Sequence, residues 1–207
     1  MKLIPNKQIE LLNVWRNSPL REFSISEIMK QSNKNTKTWV FNTLKSLVKN
    51  KILICNRKGN LDIYTLNLAN PITTQLLQYL ESQENISFPQ LGLISELIDK
   101  ISIKCYSLIV FGSYASNKHT KNSDIDICIL IDNKETEKKI KPYVNEIKLN
   151  YPIKIDEHYV TFEDFVKMLL REEENLGKQI FRKHKIFYNA DVYYQLLKEA
   201  YKNGFRE

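Results

Sequence analysis

Two short apolar runs constrain this chain most. Tyr106–Phe111 and Ile125–Leu130 are too short and too β-branched for amphipathic helices, and turn residues bound them, so both read as buried strands. The second run lies in a predicted strand at 124–131 that carries two carboxylates, Asp124 and Asp126. Successive strand residues point to opposite faces, so Asp124 and Asp126 share one face and Ile125, Ile127 and Ile129 share the other. Two carboxylates on one face repel unless a positive charge lies between them. A divalent cation meets that need: magnesium takes one or two carboxylates and keeps its other positions for water and phosphate oxygens.

The residues between the runs fit the same chemistry. Gly112 lets the backbone turn sharply and approach a ligand closely. Ser113 adds a hydroxyl, and its N–H is expected at a helix start, a natural phosphate site. Asp156, on a predicted strand at 153–160, supplies a third acid. Strands that pair lie about 4.8 Å apart, which is within reach. Glu157 is its neighbour, but alternation turns Ile155 and Glu157 to the other face.

Gly-Ser, ten residues, Asp-x-Asp and a later strand aspartate resemble the nucleotidyltransferases of the DNA polymerase β superfamily, closest to their minimal branch, over about residues 90–190. The resemblance implies that Gly112 and Ser113 contact the triphosphate of an NTP, ATP by preference. It implies that Asp124, Asp126 and Asp156 are catalytic and hold two Mg²⁺ ions. A nucleoside monophosphate would pass to an acceptor hydroxyl, with Asp156 taking its proton. The acceptor would be a small molecule or a partner protein modified on tyrosine, which makes a toxin–antitoxin pairing one reading. Many relatives carry Arg and Gly shortly after the Gly-Ser pair, where this chain has Ser116-Asn117. A guanidinium and a flexible joint are thereby missing, and Lys118 or Lys121 is the available substitute cation.

The first third reads differently. Lys7–Asn17 has helical apolar spacing, Ser24-Ile25-Ser26-Glu27 is a capping box opening a helix to about Gln31, and a third helix follows over about 36–50. Val40, Phe41, Leu44, Leu47 and Val48 form the expected buried face of that third helix. Ile52–Asn56 and Leu61–Leu66 then form a hairpin around Lys58-Gly59-Asn60. Three helices and a terminal hairpin resemble a winged helix-turn-helix over about residues 5–68. Residues 1–70 hold twelve Lys and Arg against four Asp and Glu, while the rest is nearly balanced, so the formal net charge of +7 resides in this part. Such asymmetry points to a polyanion, here double-stranded DNA. Lys34, Lys37, Lys45 and Lys49 on the third helix and Arg57 and Lys58 on the wing are the expected contacts.

The expected organisation is a winged helix at 1–68, a linker helix at 69–86, and a nucleotidyltransferase domain with C-terminal helices at 87–207. The fold class is α+β in two domains: the first mainly α with a β-hairpin wing, the second α/β with alternating strands and helices. Helices are predicted near 71–81, 89–100, 135–149, 162 onward, 173–183 and 191–203, and a short strand at 185–188. The N-terminus lacks a signal-peptide pattern, and no run reaches the roughly 18 apolar residues of a membrane span. Cys55, Cys105 and Cys128 sit in apolar contexts and read as reduced core thiols. These features point to a cytoplasmic protein without a membrane partner. His119 reads as an exposed loop residue, His158 as sharing a face with Asp156, and His184 as lacking a visible partner. Phe187, Tyr188, Tyr193, Tyr194 and Tyr201 read as helix-on-sheet core or as a homodimer face. A second functional class stays open: a DNA-binding regulator, of antitoxin type, whose second domain only senses nucleotide.

Overall fold

The computed structural model describes residues 4–16 and 18–206. The chain divides into two compact units, residues 1–80 with 206–207, and residues 81–205. The predicted first helix ends at Asn17, which lies outside the described residues.

In the first unit, α1 (Asn6–Ile9), a 3₁₀ turn (Glu10–Leu12) and α2 (Asn13–Arg16) replace the single predicted helix. Trp15 is fully buried there; its indole N–H donates to the Arg21 carbonyl at 3.1 Å, and its ring meets Phe23 edge-on at 5.4 Å. β1 (Phe23–Ser24) leads into α3 (Ile25–Gln31) through the expected capping box, in which the Ser24 N–H donates to Glu27 Oε2 at 2.8 Å. These bonds to Ser24 hold the Glu27 carboxyl below its ordinary range. α4 (Lys37–Lys49) buries Val40, Thr43, Leu44 and Leu47. Phe41 corrects the expectation: it is 47% exposed, because the buried stripe runs 40-44-47 with Thr43, and Phe41 falls outside it. β2 (Leu53–Lys58) and β3 (Leu61–Leu66) pair antiparallel about the Gly59 turn, where φ is +60°, and β1 adds to the far side of β3. The sheet order is β1-β3-β2.

α5 (Pro71–Asn85) begins in the first unit, where Thr73 Oγ1 donates to the Ile52 carbonyl at 3.4 Å. From Glu81 onward its residues belong to the second unit.

The second unit is built on a four-stranded mixed sheet of order β6-β5-β4-β7. Its elements are α6 (Leu91–Lys100), β4 (Tyr106–Phe111), α7 (Gly112–Ala115), β5 (Ile125–Ile131), α8 (Lys134–Asn150), β6 (Ile155–Thr161), α9 (Phe162–Leu170), α10 (Leu176–Arg182), β7 (His184–Tyr188) and α11 (Ala190–Lys202). Only β5 and β6, joined by α8, run parallel; β4 is antiparallel to both β5 and β7. Ile125, Ile127, Ile129 and Ile131 pack with Leu108 and Val110 against Leu93, Ile94 and Leu97 of α6 and Ile140, Val144 and Ile147 of α8. Ile109, Cys128 and Leu130 are buried on the opposite face, where α9 and α11 contact the sheet. Thr161 caps α9 by accepting from the Asp164 N–H at 3.1 Å.

The outer strand β7 is covered by side chains of α5. Asn85 Nδ2 donates to the Ile186 carbonyl at 2.6 Å, and the Ile186 N–H donates to Glu81 Oε2 at 3.4 Å. Lys185, only 6% exposed, pairs with Glu84 at 3.0 Å. An edge whose polar backbone is met by side chains offers no template to a further strand.

The thiols divide. Cys128 is buried as expected, and burial pushes its thiol up; Cys55 is half-buried and Cys105 is exposed in the loop before β4, which corrects its reading as a core thiol. Tyr193 and Tyr194 are buried core and Tyr201 is exposed. No helix among the described residues is long and apolar enough to cross a membrane.

Ile127 is fully buried between the sheet and its covering helices. Ile127→Ala is expected to cost about 2–5 kcal/mol, read as a lower midpoint of urea unfolding at unchanged slope.

Candidate active site

The site forms where β4 ends against β5. Phe111 is extended, and Gly112 then turns with φ +66°, a conformation that favours glycine. A Cβ at Gly112 would lie 2.0 Å from Asp126 Oδ2 and 2.9 Å from its Cγ. The Gly112 backbone therefore lies directly against the Asp126 carboxylate, and only a residue without a side chain fits. The Ser113 N–H lies close enough to that same carboxylate to favour its charged form, the smallest of the influences on it.

Parallel pairing sets Asp126 opposite Asp156 in register, with Cys128 opposite His158 two residues on. Asp124 corrects the expectation of a strand from 124: it lies one residue before β5, in the loop, and is exposed. Burial, then the charges of Asp156 and Asp124, push the Asp126 carboxyl above its ordinary range, while His158 and the Ser113 N–H act the other way. His158 Nε2 lies 3.4 Å from Asp156 Oδ2, and its ring sits 5.6 Å from that of Phe111. Glu157 pairs instead with Lys148 of α8, so alternation does separate it from Asp156. Among the described residues, no three His, Cys, Asp or Glu side chains gather tightly enough to cage an ion by themselves.

The loop after α7 explains the departure at Ser116-Asn117. Ser116 Oγ donates back to the Gly112 carbonyl at 3.0 Å, and Asn117 adopts φ +55°. Asparagine is one of the few residues besides glycine that tolerates this left-handed turn, so the joint survives without glycine. His119 corrects its expectation. It stacks on Tyr114 with centroids 4.2 Å apart and planes 10° off parallel, and its buried Nδ1 has no hydrogen-bond partner among the described residues. His184 also gains surroundings: its Nδ1 lies 2.8 Å from the Ile180 carbonyl and 3.3 Å from the Tyr193 hydroxyl.

A cleft of about 1020 Å³ opens beside Asp124. Its walls include Gln90, Tyr114, His119, Lys121, Ser123 and Lys154. Lys154, which the sequence reading passed over, could have been found from the Asp156 strand: it precedes Ile155 as Asp124 precedes Ile125, and those two isoleucines pair.

In the first unit, Lys37, Lys45 and Lys49 are exposed on α4, and Lys34 Nζ lies 5.7 Å above the Trp39 ring. Arg57 Nε donates to the Gly59 carbonyl at 3.4 Å, and Lys58 pairs with Glu22 at 2.5 Å.

Comparison with known proteins bears on the domain that carries this arrangement. Residues 93–188 match the nucleotidyltransferase domain family. A protein of Methanocaldococcus jannaschii named as a protein adenylyltransferase is 29% identical over 109 residues, covering 50% of this chain and 84% of the relative. No solved structure matches. The chain thus carries a nucleotidyltransferase domain and is an enzyme of that class.

Two outcomes follow. Gly112→Ala would destabilise the fold by more than about 1 kcal/mol, because alanine at positive φ is strained and its methyl overlaps Asp126; thermal melting reads this. For Asp126, folding favours the protonated carboxyl. That contribution is present below the unfolded carboxylate value and is lost as pH rises through the raised folded value. Asp126→Asn should therefore melt above wild type at neutral pH without divalent ions, and the advantage should vanish once the pH falls below the carboxylate range.

Proposed function

We propose that this protein is a magnesium-dependent adenylyltransferase that moves AMP from ATP to a hydroxyl on a protein acceptor. The observation that carries the reading is the Asp126 carboxylate wedged against Gly112 and Ser113 and held in register with Asp156. The choice of adenylyl group and protein acceptor rests on the named relative.

The residues fit magnesium. Asp126 is a partly buried carboxylate crowded by two like charges, the setting that a divalent ion relieves. Magnesium needs only one or two carboxylates, so a three-residue cage is not required. Asp124, Asp126 and Asp156 would hold it, and when bound it would neutralise phosphate charge and polarise the α-phosphorus. Asp126 is partly buried and lies against the Gly112 backbone. Asp156 is 59% exposed, so a hydroxyl on a macromolecule can reach it. Its carboxylate takes the hydroxyl proton as the acceptor oxygen bonds to the α-phosphorus. The bond from the α-phosphorus to the bridging oxygen breaks, and pyrophosphate leaves with the electron pair.

Labelled ATP with Mg²⁺ and candidate acceptor proteins tests this. Asp124→Asn and Asp126→Asn should each lower labelling by about 100-fold or more, the equivalent of about 2.7 kcal/mol of transition-state stabilisation. A chelator should stop labelling and added Mg²⁺ restore it. Equal labelling by wild type and both variants would end the reading.

The first unit supports a companion role: a winged helix-turn-helix that binds double-stranded DNA, with Lys34, Lys37, Lys45 and Lys49 of α4 and its approach in the major groove and Arg57 and Lys58 on the wing. The supporting observation is the exposed lysine face of α4 in the basic third of the chain. Lys58 is tied to Glu22 and would exchange that partner for phosphate. Lys45→Ala with Arg57→Ala should flatten the dependence of log affinity on log salt by about 0.9 per lost phosphate contact. Unchanged affinity and slope in a filter-binding titration would remove DNA from the function.

A further inference from the structure

The two edges of the second unit's sheet, β6 and β7, differ. The β7 edge is closed, because Asn85 and Glu81 meet the backbone of Ile186. The β6 edge is open. The Ile125 N–H donates to the Lys154 carbonyl at 2.9 Å, and Ile125 pairs with Ile155. Backbone groups alternate in direction along a paired strand, so Lys154, Asp156 and His158 turn theirs towards β5. Ile155, Glu157 and Tyr159 turn theirs outward, where no hydrogen bond meets them among the described residues. An open edge is ordinary in itself. Asp156 singles this one out: it stands on the edge, 59% exposed and in register with Asp126.

A strand added here would continue the row that starts with Asp126 and Asp156. Directly opposed residues project to one face, so a residue opposite Asp156 would have its side chain on the carboxylate face. In antiparallel pairing that position is non-hydrogen-bonded, with Cα atoms about 4.5 Å apart and side chains at their closest. A second copy of the chain is a poor occupant, because two edges that each carry Asp156 and Glu157 repel. We propose that β6 is the docking edge for the acceptor protein. An extended segment of that protein adds to β6 as a further strand and presents a serine, threonine or tyrosine hydroxyl across from Asp156. Main-chain hydrogen bonds to Ile155, Glu157 and Tyr159 give affinity, and the register selects the hydroxyl. The acidic edge favours a segment without Asp or Glu. The hydroxyl loses its proton to Asp156 and its oxygen bonds to the α-phosphorus as pyrophosphate leaves. The inference rests on the transferase reading for this step, but the docking edge does not.

The test uses the full-length protein with Mg²⁺, labelled ATP and synthetic peptides of about eight residues, enough to line β6. The peptides are rich in Val, Thr and Lys, lack acids, and carry a central Ser, Thr or Tyr. Amide-resolved hydrogen exchange reads binding. The Glu157 and Tyr159 amides should exchange freely in the protein alone and slow about 10-fold or more with peptide. The Asp156 and His158 amides, already bonded to β5, should be slow throughout. N-methylation of one alternate set of peptide amides should weaken protection and labelling about 10-fold, and of the other set should change neither. Glu157→Pro removes an outward N–H and spares the pairing with β5. It should label peptide about 10-fold less than Glu157→Gln, which loses the same carboxylate and keeps the N–H. Thermal melting checks both variants, and the exchange and methylation arms need neither. Unchanged Glu157 and Tyr159 exchange with every peptide, or equal effects of the two methylated sets, would overturn the inference. If those amides are protected and no AMP is transferred, the docking edge stands and the transferase reading falls. If a protein acceptor is labelled equally by Glu157→Pro and Glu157→Gln, the transferase reading stands and the docking edge falls.

Discussion

The contact between Gly112 and Asp126 organises the second unit's chemistry. A carboxylate in a partly buried strand position is costly, since burial strips its hydration and Asp156 and Asp124 add like charge beside it. Gly112 removes the steric obstacle by having no Cβ and by turning through positive φ. The nearby Ser113 N–H favours the charged form of the carboxylate. One glycine thus fixes where β4 ends, how α7 begins and where Asp126 stands.

The sheet around that contact is asymmetric in its work. One face is an isoleucine layer covered by α6 and α8, and it supplies cohesion. The other face buries Ile109, Cys128 and Leu130 under helices, then becomes polar toward the start of β5, where Asp126, Asp156 and His158 come together. The same strand therefore holds the fold with its odd-numbered residues and the site with Asp126. At the far edge, Glu81 and Asn85 meet the backbone of Ile186, which keeps β7 from pairing further. An open site on a covered scaffold is the usual division between stability and activity.

Much was legible from local pattern. The capping box at Ser24, the hairpin around Gly59, the strands and the Asp-x-Asp alternation depend on neighbours within a few residues, and those rules act in any context. Phe41 and Cys105 were misread for the complementary reason. Their exposure depends on which residues of other elements arrive beside them, and apolar character alone does not say. His119 shows the reverse error: a loop position looks exposed until Tyr114 is known to lie flat beneath it. The alternating strand and helix pattern suggested α/β, but only β5 and β6 are parallel, because β4 enters from a loop and turns back through α7 rather than through a long crossover.

By itself the sequence determined that Asp126 lies in a strand whose isoleucines turn to the opposite face, because side-chain alternation is a property of the extended backbone. It also determined the glycine at the turn, since few residues tolerate positive φ. Only the tertiary structure decided that Asp156 lies beside Asp126, that Glu157 is taken by Lys148, and that Lys121 and Lys154 share a cleft with Asp124. Those are relations between segments distant in the chain, set by strand register and by packing of the helices on each face. No local rule encodes them.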